Sequence, residues 1–157
     1  MATIKRKRTL GQFGGAVPYG NMSVLAFTLS TNATGAVIDS NSTAAVALGD
    51  VIELGHLPEG FRLDDAQIIV TTAMTEAVTG SLGFKYVDGA DSTEVPQDAA
   101  YFIKDGALSA AARVRASGTK LVTLPKPAVL TLTTGGAANA KVSDIQILVS
   151  GEQLGPR

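Results

Sequence analysis

An all-β fold, a single-domain antiparallel β-sandwich or jelly roll with an extended N-terminal arm, is what this sequence predicts. Three observations lead there. Short apolar runs with two-residue alternation recur along the chain, separated by clusters of Gly, Asn, Asp, Ser and Pro. No stretch sustains a helical period over three turns. The composition is rich in small and β-branched residues, with 17 Gly, no Trp and few aromatics, which suits short strands joined by turns. At 157 residues the chain fits one domain with a real core, and nothing repeats at a fixed period as a solenoid or propeller would.

Residues 1–22 read as the arm. Lys5, Arg6, Lys7 and Arg8 are followed by GQFGGAVPYGN, whose glycines and proline cannot hold regular structure alone. Phe13, Val17 and Tyr19 are spaced through it as anchors for docking, so the arm reads either as a disordered leader or as a segment that orders against a neighbouring subunit. Residues 23–151 read as the sandwich. Ser23–Leu29 is a first strand with Leu25, Phe27 and Leu29 on one face. Asn32 and Gly35 turn the chain, and Ala36–Ile38 and Ala44–Leu48 are short extended pieces.

Gly49–Val70 then supplies the central pattern: a strand with Ile52 and Leu54 inward, a turn shaped by Pro58 and Gly60, and a second strand with Ile68 and Val70 inward. Ser81–Val87 alternates most clearly, with Leu82, Phe84 and Tyr86 on the buried face. DGADSTEVPQD is a long acidic loop, and Ala100–Ile103 resumes extended structure. The alanines of Leu108–Ala116 favour a short helical turn, against a setting between strands that argues for a strand or an irregular crossing. Lys120–Leu124 and Ala128–Thr133 are strands separated by Pro125-Lys126-Pro127, and the last strand turns Ile145, Ile147 and Val149 to one side. Residues 152–157 form a short tail. The count comes to roughly nine to eleven strands.

Composition excludes several functions. Without cysteine there are no disulfides and no thiolate metal sites. No signal peptide is expected, since Gly11, Gln12, Gly14 and Gly15 break any apolar run after Arg8, and no run nears the roughly 18 apolar residues of a membrane helix. The chain is expected to be made in a cytoplasm and to need no membrane partner. His56 is the only histidine, so a triad or His-based zinc centre would have to use it; a solvated role beside the proline turn is the simpler reading. Asp64 and Asp65 are adjacent, which in a regular strand sends them to opposite faces. Asp88, Asp91 and Glu94 lack the residue order of a calcium loop. No glycine cluster has the lysine and helix start of a phosphate cradle. These readings give no enzyme, no metal and no cofactor. Asn21, Asn32 and Asn41 each open an N-glycosylation tripeptide, which turn chemistry in an Asn/Ser/Thr-rich segment explains.

Charge is unevenly placed. The net charge is −1, but four of the 13 basic residues fall at Lys5–Arg8, leaving 9 against 14 acidic ones elsewhere. A basic cluster can bind nucleic acid through phosphates, but the acidic, aromatic-poor body offers no face to back it, and an acidic protein surface is the favoured target.

The segment GDVIELGHLPEGFRLDDAQIIVTTA, with its G-D-V-I-x-L-G-x-L-P-x-G shape, resembles one found in the capsid decoration, or cement, proteins of tailed bacteriophages. LGFKYVDGADSTEVPQDAAYFI is similar too, and the likeness runs over about Ala44–Ser150. The resemblance implies a structural, non-enzymatic head-stabilising protein that binds the capsid exterior as a homodimer or homotrimer, with the major capsid protein as partner. The arm, through Lys5, Arg6, Lys7, Arg8, Phe13 and Tyr19, would then contact capsid or neighbouring subunits. Deleting residues 1–21 is expected to leave the β-domain folded while weakening capsid binding. The rival reading is a fibre-associated sandwich module for carbohydrate or host-surface recognition; the absence of Trp and the presence of only three Tyr count against it.

Overall fold

The computed structural model describes residues 1–5 and 22–155. Alternation of apolar and polar residues produces ten strands among these residues and no helix: β1 (Thr3–Lys5), β2 (Met22–Thr31), β3 (Val51–Leu57), β4 (Phe61–Thr72), β5 (Thr79–Tyr86), β6 (Asp98–Ala107), β7 (Ala112–Arg115), β8 (Val122–Thr123), β9 (Ala128–Gly135) and β10 (Ser143–Gln153). Hence no helix among the described residues is long and apolar enough to cross a membrane.

Two sheets divide the strands. The first runs β1-β3-β9-β5-β6; the second runs β2-β10-β4-β7, with β8 also on β4. All pairings are antiparallel except β1 with β3, which is parallel. The protein is thus a single-domain β-sandwich.

Inward side chains of both sheets form one core. Leu25, Phe27 and Leu29 from β2, Ile145, Ile147 and Val149 from β10, and Ile68 and Val70 from β4 face Ile52 and Leu54 of β3, Leu82, Phe84 and Tyr86 of β5, and Leu130 and Leu132 of β9. These are the inward positions that alternation assigns. Between β3 and β4, Gly60 has φ +74°, and a Cβ there would collide with the Gly155 carbonyl, so only glycine fits this turn.

Three local expectations need correction. Leu108–Ala116 forms no helical turn. Instead β7 pairs with β4, Arg115 opposite Gln67 and Ala112 opposite Val70. The flank of β4 away from β10 offers open backbone groups, and satisfying them outweighs a helix propensity worth tenths of a kcal/mol per residue. Of Lys120–Leu124, only Val122 and Thr123 pair as a strand. Asp64 and Asp65 do not point to opposite faces: the register slips between Ser150 and Gly151 on β10, and this bulge leaves both carboxylates outward. Asp64 meets Arg62 at 2.6 Å and Asp65 meets Arg115 at 2.7 Å.

Residues 3–5 of the segment read as an arm add a strand to the first sheet, and Ile4 is 2% exposed within the core. Met22 opens β2.

Candidate functional site

The outer face of the first sheet near its β1 edge gathers the charged groups that sequence reading scattered. A bulge at Leu54–Gly55 is responsible. Glu53 lies opposite Thr131 and Gly55 opposite Leu130, so Leu54 is the extra residue and both Leu54 and Gly55 are buried. Without the bulge, positions 53 and 56 would face opposite ways; with it, Glu53 and His56 share the outer face. Gly55 is required because a Cβ there would sit 2.6 Å from the Phe27 ring.

Register supplies the neighbours. Lys5 pairs with Glu53, while Val129 of β9 lies between His56 of β3 and Lys85 of β5. The Glu53 carboxylate, 15% exposed, is held by Lys85 Nζ at 2.7 Å and Lys5 Nζ at 3.5 Å. Together with Tyr86, Val87, Gly89 and Gln97 these residues line a cleft of about 350 Å³. The lining side chains set one carboxylate against two ammonium groups, and Val87 adds an exposed apolar contact. No Ser or Thr lines this cleft, so His56 has no hydroxyl nucleophile beside it there. The arrangement suits docking of a polar surface.

The acidic loop after β5 forms the far wall. Lys126 Nζ donates to both Asp88 oxygens, at 2.8 and 3.0 Å, and to the Ala90 carbonyl at 2.7 Å, while standing 4.5 Å from the centre of the Tyr86 ring. The Lys126 hydrogen bond holds the Asp88 carboxyl below its ordinary range. Asp91 accepts from the Ser92 and Gln97 amides, each at 2.8 Å, as a loop-closing carboxylate. Tyr86 donates its hydroxyl to the Val95 carbonyl at 2.5 Å, and burial first, then the charges of Asp91, Asp88 and Glu94, push its phenol up. Among the described residues, no group of three or more His, Asp or Glu could hold a metal ion.

On the other side of this loop lies a second cleft, of about 330 Å³, walled by Tyr101 with Gln97, Asp98, Lys120 and Val122 among its lining. Tyr101 donates to the Lys120 carbonyl at 2.6 Å and packs edge-on against Phe84 and Phe102.

Of the expected arm residues, Lys5 lies at the rim of the first cleft; Arg6, Lys7, Arg8, Phe13 and Tyr19 lie outside the described residues. Two of the three glycosylation tripeptides have visible structural work. Asn32 accepts from the Thr34 and Ala36 amides as turn chemistry, whereas Asn41 accepts the Lys5 amide and donates its own to the Lys5 carbonyl. Sequence reading missed Glu53, Lys85 and Lys126 as surface-organising residues. A glycine inside a strand pattern, Gly55, was the available signal for the bulge.

No family model matches the sequence, and no curated protein matches it. Solved structures do. A chain in the capsid of Ralstonia phage GP4 has a TM-score of 0.65 at 17% identity, covering 96% of this chain and 97% of that one. A chain of the cyanophage Pam1 capsid asymmetric unit has a TM-score of 0.60 at 12% identity, covering 87% and 89%. At such identities the likeness is one of fold, and it runs nearly end to end.

Proposed function

We propose that this chain is a structural virion protein of a bacteriophage: a decoration protein that binds the outside of the capsid and stabilises the head by bridging capsid subunits. One observation carries the reading, the nearly end-to-end likeness of fold to chains in two phage capsid structures. The sequence resemblance to cement proteins points the same way, as does a surface whose charged groups are organised for contact. The partners are the major capsid protein and further copies of the chain, as a homodimer or homotrimer, and the location is the capsid exterior after synthesis in the host cytoplasm. Many weakly held copies sum to a large stabilisation of a shell under internal pressure.

Deleting residues 1–21 would be a confounded test, because Ile4 is part of the core. Reversing Arg6, Lys7 and Arg8 to Glu keeps β1 and removes the cationic contacts. The expected result is an unchanged melting temperature with at least tenfold weaker binding to purified, undecorated heads. Unchanged occupancy would overturn the arm assignment. Absence of the chain from the proteins of purified virions, where it is expected in hundreds of copies, would overturn the whole reading.

The Tyr101 cleft favours a second reading, since an aromatic wall beside carboxylate and amide groups is the make-up of a sugar site. Saturable binding on a glycan array, lost in Tyr101→Ala, would promote that reading over the first.

A further inference from the structure

We propose that the seat of β1 is a strand-acceptor site that the N-terminus of a second copy can fill, so that copies of this chain link by exchanging β1. The inference supplies a route for the self-association within the capsid reading, and it is tested without capsids.

The seat is a built receptor for a short extended peptide. Along one side, β3 offers its edge in parallel register, Thr3 opposite Val51 and Lys5 opposite Glu53. At the start, the Asp50 carboxylate, on a residue only 5% exposed, accepts the Ala2 amide at 2.8 Å, and the Val51 amide donates to the Ala2 carbonyl at 3.0 Å. Asn41 closes the other end by binding both the amide and the carbonyl of Lys5, each at 2.9 Å. Ile4, at 2% exposure, plugs the core between these two clamps, and Lys5 reaches Glu53. Among the described residues, the ladder, both clamps and the Lys5 ion pair join residues 2–5 to residues 41–53 alone, and Ile4 adds its side chain to the common core.

The occupant is therefore separable from the body. Residues 6–21 join β1 to β2 and contain Gly11, Gly14, Gly15 and Gly20. Such a segment reaches roughly 50 Å when extended, several times the ~10 Å between packed sheets. A second copy brings the identical residues, so the ladder, both clamps and the Ile4 plug are reproduced without any new complementary surface. The closed and exchanged forms have the same contacts and differ mainly in entropy. Tethering favours the closed form in dilute solution, and exchange gains when neighbouring copies reach the effective concentration of the tether, about 1 mM.

The absence of native cysteine makes the test clean. Thr3→Cys in ¹⁵N-labelled chain and Val51→Cys in unlabelled chain are mixed at about 1 mM, warmed to permit opening, and oxidised. Exchange yields a disulfide between labelled and unlabelled chains, read by mass spectrometry of the joined peptides. The double variant Thr3→Cys/Val51→Cys, oxidised when dilute, should close within one chain. Internal closure of the double variant with no mixed-label product at any concentration would overturn the proposal. Sedimentation of chains without introduced cysteine decides independently should the disulfide fail to close. The parent chain should associate at high concentration, and Ile4→Asp, which expels the plug, should remain monomeric. A parent that stays monomeric, or an Ile4→Asp chain that associates equally, would overturn it.

Discussion

Asn139 shows how much of this fold rests on single polar side chains. It is 1% exposed, and its amide nitrogen donates to Thr31 Oγ1 at 3.1 Å and to the Lys141 carbonyl at 2.9 Å. Its amide oxygen accepts from the Thr75 backbone at 3.0 Å, and Thr31 Oγ1 in turn meets Ser143 Oγ at 2.8 Å. One side chain thus joins β2, the loop after β4 and the segment leading into β10, and Thr31 carries the network on to Ser143. Asn139→Ala strands several buried partners at once and should cost about 2–4 kcal/mol in denaturant unfolding. A loss below about 0.5 kcal/mol would show that the network does not hold that end of the sandwich. Tyr86 makes a second case. Its phenol is raised above its ordinary 10.0 by burial, so the folded state favours the neutral form. The stability this contributes is whole below pH 10 and is lost as pH rises through the folded value. Tyr86→Phe should cost about 1 kcal/mol at neutral pH, through the lost bond to Val95, and should blunt the fall in melting temperature above pH 10. An unaltered alkaline profile would shift the sensitivity to Tyr101, whose phenol burial also raises.

At the scale of elements, the acidic loop is fastened as well as exposed, and the fastening is a single lysine between two prolines. Asp88 is held below its ordinary 3.8 first by the hydrogen bond from Lys126. A carboxylate lowered in this way stabilises its loop above pH 3.8, and the contribution disappears as pH falls through the folded value. Lys126→Met should return the Asp88 titration, followed by carboxyl NMR, to the ordinary carboxylate range while leaving the sandwich folded. An unmoved titration would mean that the Ala90 amide, not Lys126, sets it. The same loop shows why strands were easier to read than surfaces. Ile52, Leu54, Ile68, Val70, Leu82, Phe84 and Tyr86 follow local two-residue periodicity, which survives folding because each faces the common core. The Leu108–Ala116 segment had no such pattern; its state is set by the free flank of β4, a distant partner that local propensity cannot see.

For the molecule as a whole, the sandwich and the division between a basic start and an acidic body were legible in composition and order, while the surface was not. Glu53, His56, Lys5 and Lys85 come from three strands of the first sheet and meet only through register and one bulge. The two bulges, at Leu54–Gly55 and at Asp64–Asp65, decide which charges share a face. A shift of one residue in either would send carboxylates toward the core, so such information lies in pairing rather than in any short stretch.

Met1 is 96% exposed while Ile4, three residues on, is 2% exposed. A peptide or reporter domain fused ahead of Met1 would therefore start in solvent from an anchor fixed to the sandwich. If the chain coats a shell in many copies, that end is a site for dense, oriented display of cargo, and the cysteine-free body allows a single introduced thiol to carry the conjugate.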